Sequence, residues 1–376
     1  MKGTTIGIDL AKNVFHLCAT NRRGRVIWRK KTTRRGLEAV LAELPPSRIA
    51  MEACGGSHYW ARRCQVHGHV PQLISGKFVK PFVKSNKNDV IDAEAIVEAA
   101  QRATMRFVPA KTTQQQDIQA VHRVRERWVR QRTAVVNQCR GLLLENGITI
   151  PQGRHHLQRQ LPLVVENHTG ELSESFVRLL RDLGEELVAL NQRIQHLEDQ
   201  LAHLSRELEP CRRLVSIPGV GPLTATALFA AVGNGSDFKN GRHLAAWLGL
   251  VPRQVTTGGK PKLLGISKRG DIYVRKLLIH GARSVLISGR TLGAPQRWAK
   301  TVAARCGANK AVVALANKHA RIAWKLLHSG ESFRAVEPPR GDCERAAKSL
   351  AVSPPRRGAR LEGPRRPRPR LEPAQP

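Results

Sequence analysis

The apolar run TTIGIDLA, residues 4–11, reads as a β-strand that carries one acid, Asp9, and the run SRIAMEA, residues 47–53, repeats the pattern with Glu52. A carboxylate buried alone in an apolar setting is costly, so acids that close hydrophobic strands must be neutralised or must line a site. In α/β sheets the carboxyl ends of the strands are where sites are built. Further on, KNDVIDAEAI, residues 87–96, adds Asp89 and Asp92. Acids three residues apart project to the same side of a helix. Two acids from strands and two from a helix then have one place to meet.

Acid is scarce elsewhere. Of 376 residues, 63 are Lys or Arg and 29 are Asp or Glu, a formal net charge of +34. Four carboxylates in one place call for a divalent cation, and hard oxygen ligands select Mg²⁺ or Mn²⁺, the ions that recur in phosphoryl transfer. Taken singly, Asp92 also suits a helix cap and Glu52 a surface position. Lys77, Lys80, Lys84 and Lys87 precede the helical pair. They either draw phosphate toward the acids or form a solvated basic face.

The basic excess runs along the whole chain and predicts a nucleic-acid partner, since neutralising phosphates releases counterions. A ribosomal or chromatin-like protein has the same charge without chemistry. Seven scattered cysteines with no CxxC pair predict a reduced, cytoplasmic protein. The opening MKGTTIGIDLAK has an aspartate where a signal peptide needs an apolar run, and LTATALFAAV is too short to span a bilayer, which predicts no export and no membrane partner. His155 and His156 lie in a polar stretch without zinc-ligand spacing.

Pattern divides the chain into four parts: 1–108, 109–210, 211–334 and 335–376. In the first, TTIGIDLA, VFHLCAT and GRVIWRKKT read as strands, RGLEAVLAEL as a helix, SRIAMEA as a strand, HYWARRCQVHG as a helix and HVPQLIS as a strand. Strands first, then strands alternating with helices, predict a mixed sheet with an α/β layer. The second part is helical. From Leu172 to Leu208 apolar residues recur at steps of three and four, with one extra four-residue step at Leu187, the pattern of a coiled-coil seam. Its partner is a second chain, an antiparallel return helix or the helix's own domain. The third part reads as compact, Gly-rich and helical. The Pro- and Arg-rich fourth part reads as a disordered basic tail.

Within the third part, LVSIPGVGPLTATALFAAVG, residues 214–233, has the form of a helix-hairpin-helix, in which Gly219 and Gly221 bring backbone N–H groups to a DNA phosphate. A plain helical turn is the alternative. Downstream, Thr256 and Thr257 precede a Gly-Gly turn, and Arg253, Lys260, Lys268 and Arg269 surround it as candidate phosphate ligands.

The order and topology of the four acids resemble the ribonuclease H-like fold, particularly its RuvC-type nuclease branch. The ordered set GIDLAK, MEACG, KNDVIDAEAI, SIPGVG, FKNGRHLAAWLGLVPRQ and GISKRGDIYVRKLLIHGAR resembles the insertion-sequence-110 family of transposases, including its 1111 subgroup, over about residues 3–333. The resemblance implies a fold of α/β plus α: a RuvC-like mixed-sheet domain, a coiled-coil assembly region and a mostly helical transposase domain. It implies a DEDD transposase, a recombinase guided by a bridge RNA that acts on element ends and target DNA. The DEDD set falls on Asp9, Glu52, Asp89 and Asp92.

A serine of the family, the nucleophile that joins covalently to DNA, is replaced here by Thr257. Threonine offers the same hydroxyl with a crowding methyl. Thr257 serves, or Thr256 or Ser267 substitutes, or the copy is impaired. A homodimer or homotetramer is expected if each complete site is shared between subunits. A junction-type nuclease using water, and a remnant that only binds nucleic acid, are the rival readings.

Overall fold

Strand-forming runs and amphipathic helices alternate through the first hundred residues, and the structure pairs the strands into one mixed sheet. It is a computed structural model describing residues 4–83, 89–167, 170–289 and 293–334, without the side chains of Asp89 and Val90. The first elements are β1 (Thr5–Asp9), β2 (Val14–Thr20), β3 (Val26–Thr33), α1 (Arg34–Glu43), β4 (Arg48–Glu52), α2 (Ser57–Val66), β5 (Val70–Ile74) and α3 (Gly76–Val79). A 3₁₀ turn (Lys80–Phe82), α4 (Asp89–Ala100) and β6 (Phe107–Val108) complete this half. The strand order is β3-β2-β1-β4-β5-β6. β1, β4 and β5 run parallel, while β2, β3 and β6 are antiparallel to their neighbours. The short β6 has no counterpart in the sequence reading, since two residues carry no periodicity.

The inner strands β1, β2, β4 and β5 alternate between two covered faces. Ile6, Ile8, Phe15, Leu17, Ile49, Met51 and Leu73 pack against Leu37, Leu41, Trp60 and Cys64 of α1 and α2. Ala50 and Ile74 face the other way, against Ala95, Ile96 and Ala99 of α4, and Cys18 meets Ala93 and Val97 of the same helix. α1 starts where the Thr33 side chain accepts from the Gly36 N–H, one of the donors a helix start leaves unpaired.

The helical half begins with α5 (Thr113–Glu145), opened by a reciprocal capping box between Thr112 and Gln115. Then follow α6 (Arg154–Asn167), α7 (Glu174–Glu207), α8 (Glu209–Val215), α9 (Pro222–Val232), α10 (Gly241–Trp247), β7 (Pro252–Thr257), β8 (Lys260–Ile266), α11 (Ile272–Ile287), α12 (Ala294–Cys306) and α13 (Ala308–Ser329). α5 is the return helix of the α7 seam. Arg125 pairs with Glu198, and Gln131 bonds Glu186, so the two helices run antiparallel. Leu180, Leu187 and Leu190 are buried with Val135, Val136, Cys139 and Leu143 of α5 and Leu157, Leu161 and Val165 of α6. The expected seam slips at its start: Leu180 is buried and Leu179 is 44 % exposed, because α6 covers the helix from a different side there.

α8 to α13 enclose a second core, and α5 binds it to the sheet half. At the start of α5, Arg62 of α2 donates to the Lys111 carbonyl, and Gln115 donates to the Phe229 carbonyl of α9. Farther along, His122 lies between Tyr273 and Thr226, 3.0 Å from each. The Thr226 hydroxyl donates to the Pro222 carbonyl, so it accepts from His122 Nε2–H, and Nδ1 accepts from the tyrosine. The described residues up to Phe333 make one compact unit, and the Pro/Arg tail lies outside the described residues.

Candidate active site

Asp9 is the last residue of β1 and Glu52 the last of β4. The parallel register pairs Gly7 with Ala50 and Ile8 with Met51, so the next step sets the two acids side by side at the strand ends. Side chains alternate along a strand, which places Gly7, Asp9, Ala50 and Glu52 on the face covered by α4. A Cβ on Gly7 would lie 2.5 Å from the Ala93 carbonyl oxygen and 2.4 Å from Val97 Cγ2. Glycine here allows α4 to cross β1 in contact with its backbone, one residue from Asp92. Asp89 is the first residue of α4, and Asp92 is half-buried on the same helix.

The Glu52 carboxylate rests against the backbone at the start of α3: a Cβ on Gly76 would come within 2.4 Å of its Oε1. Both strand acids act on one neighbour. The Cys54 thiol is pushed up from its ordinary range by burial first, then by the charges of Glu52 and Asp9. Among the described residues, no group of three or more His, Cys, Asp or Glu side chains is arranged to hold a metal. Of the DEDD set, Asp9, Glu52 and Asp92 have described side chains, and Asp89 does not. Lys84 and Lys87 lie outside the described residues.

Thr257 stands elsewhere, at the tip of the β7–β8 hairpin. The region read as helical contains this ribbon because Gly258 and Gly259, both at positive φ (56° and 74°), make the tight turn that a two-residue hairpin needs. β7 is fully exposed, and neither strand packs substantially on any other element. Gln254 donates to the Thr256 hydroxyl at 3.2 Å, whereas the Thr257 hydroxyl is exposed and has no partner among the described residues. Ser267 follows β8 at the opposite end of the ribbon. At ~3.3 Å per residue it lies roughly 20 Å from the tip, too far to replace Thr257 in place.

The base of the ribbon is clamped. A Cβ on Gly249 would meet the Arg269 carbonyl at 2.2 Å, and one on Gly270 the Trp247 carbonyl at 1.8 Å. Arg275, buried on α11, donates at 2.8 Å to both the Leu248 and Arg269 carbonyls. The sequence reading passed over Arg275; an arginine inside the apolar stretch YVRKLLIHG was its signal. Lys268 sits at positive φ (54°) beside Arg269, and both are exposed, as are Arg253 and Lys260.

The SIPGVG turn joins α8 to α9. Gly219, at φ 85°, faces inward: its Cβ would lie 2.6 Å from the Gly281 carbonyl of α11. That glycine packs on α11, while Gly221 is exposed and a Cβ there would meet no described atom within 4 Å.

A six-stranded mixed sheet closed by acids, with helices on both faces, is consistent with the ribonuclease H-like domain of DEDD transposases. Residues 6–147 match the DEDD_Tnp_IS110 transposase family, and residues 211–294 match the transposase IS116/IS110/IS902 family. The chain belongs to the IS110 family of transposases, and is a DEDD transposase of insertion-sequence type. It is 45 % identical over 331 residues to the transposase for insertion sequence element IS1111A of Coxiella burnetii, covering 88 % of this chain and 91 % of that one. It is 46 % identical over 336 residues to a probable family 20 transposase of Pseudomonas aeruginosa, covering 89 % and 99 %. A pilin gene-inverting protein of Moraxella bovis is 23 % identical over 359 residues, covering 89 % of this chain and 98 % of its own.

Proposed function

We propose that this transposase exchanges DNA strands through a centre in two parts, a carboxylate cluster and a hydroxyl nucleophile. The cluster is Asp9, Glu52, Asp89 and Asp92, and the hydroxyl is that of Thr257. All four acids offer oxygen, the ligand type of Mg²⁺ and Mn²⁺. The three with described side chains do not form a ligand set by themselves, so the proposal requires Asp89 as well. When bound, the cation polarises a phosphodiester and neutralises developing charge. Thr257 Oγ1 attacks phosphorus and gives up its proton, the bond to the leaving oxygen breaks, and that oxygen takes up a proton. A hydroxyl of a second strand then displaces Thr257 and restores it.

One observation carries this reading: Asp9 and Glu52 share the α4 face at the adjacent ends of the parallel strands β1 and β4. Arg253, Lys260, Lys268, Arg269, Lys84, Lys87 and the Gly221 turn would hold phosphates of the element ends and the target. Sequence choice is assigned to base pairing with a bridge RNA, and the site of action to the cytoplasm. No helix among the described residues is long and apolar enough to cross a membrane. Functional division at 108/109 and 210/211 separates the carboxylates, the helical region and the ribbon.

Assembly as a homodimer or homotetramer is part of the proposal, with the ribbon of one subunit serving the carboxylates of another. Two features support it: among the described residues the ribbon packs substantially on no other element, and a groove of about 610 Å³ between α6 and α7 is lined by Leu161, Val165 and Val188.

Thr257→Ala tests the reading. The expected result is loss of the covalent protein–DNA species in Mg²⁺ with DNA binding retained. Unchanged metal-dependent cutting in that variant would overturn the nucleophile assignment and favour hydrolysis by water.

A further inference from the structure

The sheet carries cations in line with its carboxylates. The register that pairs Asp9 with His16 also pairs His16 with Lys31, so the three stand abreast across β1, β2 and β3. Their face is set two residues away, where Gly7 pairs with Cys18 and Cys18 with Arg29. Cys18 packs on Ala93 and Val97 of α4, and Arg29 is paired with Glu94 of α4 at 2.6 Å. Alternation therefore puts His16 and Lys31 on the α4 face beside Asp9. Lys12 lies in the turn that leads from Asp9 into β2.

Arg29 is neutralised by Glu94. Lys12 and Lys31 are exposed and make no ion pair among the described residues. β3 is the edge of the sheet, so no further strand covers Lys31.

We propose that Lys12 and Lys31, flanking His16, form a track for the DNA strand that enters the carboxylate cluster, holding phosphates beside the reacting one. This rests on the carboxylate reading above. Neighbouring strands are about 4.8 Å apart, so Lys31 lies about 10 Å across the sheet from Asp9. A DNA strand advances ~3.4 Å per nucleotide, which places Lys31 level with a phosphate about three nucleotides from the reacting one. A polyanion that passes a group of carboxylates is repelled on approach, and cations on the flank offset that repulsion. DNA is favoured over RNA because the row is collinear with the acids whose substrate is DNA.

The test uses the full chain and a fluorescent duplex of about 40 base pairs, with affinity measured against KCl concentration. Each lost phosphate contact lowers the slope of log K against log salt by about 0.9. Lys12→Gln/Lys31→Gln is expected to flatten the slope by about 2 while the melting temperature stays unchanged, since both side chains are exposed. A charge-matched Arg22→Gln/Arg23→Gln variant, at the far end of the β2–β3 pair, is expected to change it by less than half as much. No flattening, an equal flattening in the Arg22/Arg23 variant, or an equal flattening on duplex RNA of the same length would overturn the track. If the double variant does not fold, Lys31→Gln alone is read against an expected change of about 1.

Strand joining by the wild type in Mg²⁺ is scored in parallel. Joining without the slope change sinks the track and leaves the carboxylate reading standing. The slope change without joining sinks the carboxylate reading, and the cations then serve binding alone.

Discussion

The strand-end acids and the threonine-bearing ribbon are built on opposite principles. Asp9 and Glu52 project from the ends of central parallel strands, with a helix pressed so close that only glycine fits at position 7. Their positions follow from a core whose residues are nearly all fully buried. The ribbon has no such support beyond its base: Val255 is 45 % and Leu263 67 % exposed. An isolated two-stranded hairpin is marginally stable in water. The contrast shows that packing fixes the strand-end acids, while the ribbon is held only at its base; under the proposed function its hydroxyl would take its working position from what it meets.

The largest effect tests the preorganised side. Glu52→Gln keeps size and shape but removes a charge beside Asp9, and loss of metal-assisted stabilisation worth several kcal/mol should slow strand joining about a hundredfold or more. A single-turnover assay in Mg²⁺ checks this, and a Glu52→Gln protein as active as the wild type would erase the distinction between the two halves.

Gly7→Ala comes next, because the added methyl must displace α4. Overpacking of this kind costs about 1–3 kcal/mol, and thermal unfolding should report it together with lost activity. An alanine that is tolerated without loss would mean that the acid end is as adaptable as the ribbon.

Arg275→Met probes the clamp at the ribbon's base. It leaves the Leu248 and Arg269 carbonyls without their donor, a cost of about 1–3 kcal/mol. Hydrogen exchange should rise in residues 249–270 and stay unchanged in β1 and β4. Equal loosening of both would show that the two halves are not independent.

Acid sharpens the comparison least. His122 and His319 are buried, and burial holds both down at about 4, below the ordinary histidine value of 6.5. Each is favoured neutral in the folded state, so its contribution is complete above pH 6.5 and is lost as pH falls toward 4. The melting temperature should fall over that window. Among the described residues neither ring nitrogen of His319 has a hydrogen-bond partner, so His319→Leu should flatten the decline and leave stability at pH 7 equal or about 1 kcal/mol higher. A steeper decline in His319→Leu would refute the assignment.

Much of this was legible in the chain. Strands β1 to β5 and helices α1 and α2 appear where alternating and helical periodicities predict them, because those periodicities are set by neighbouring residues. Asp9 and Glu52 stood out because each is an acid in an apolar strand, and the structure sets them side by side. The α7 stripe was visible too, but not what covers it: a seam has the same spacing whether its partner is α5, α6 or another chain. Gly219 carried the signature of a DNA-facing turn, and its close approach to Gly281, sixty-two positions away, was not legible. Arg275 was passed over because a lone arginine in an apolar stretch reads as a surface residue until the carbonyls it bonds are known.

Charge, strands β1 to β5 with helices α1 and α2, the four acids and family membership were therefore determined by the amino-acid sequence itself, because composition, periodicity and ordered motifs are properties of neighbouring residues. The sheet order that sets Asp9 beside Glu52, the choice of α5 as partner for α7, and the row joining Asp9, His16 and Lys31 were decided only by tertiary structure. Register and helix packing depend on contacts between residues far apart in the chain, and no local pattern records them.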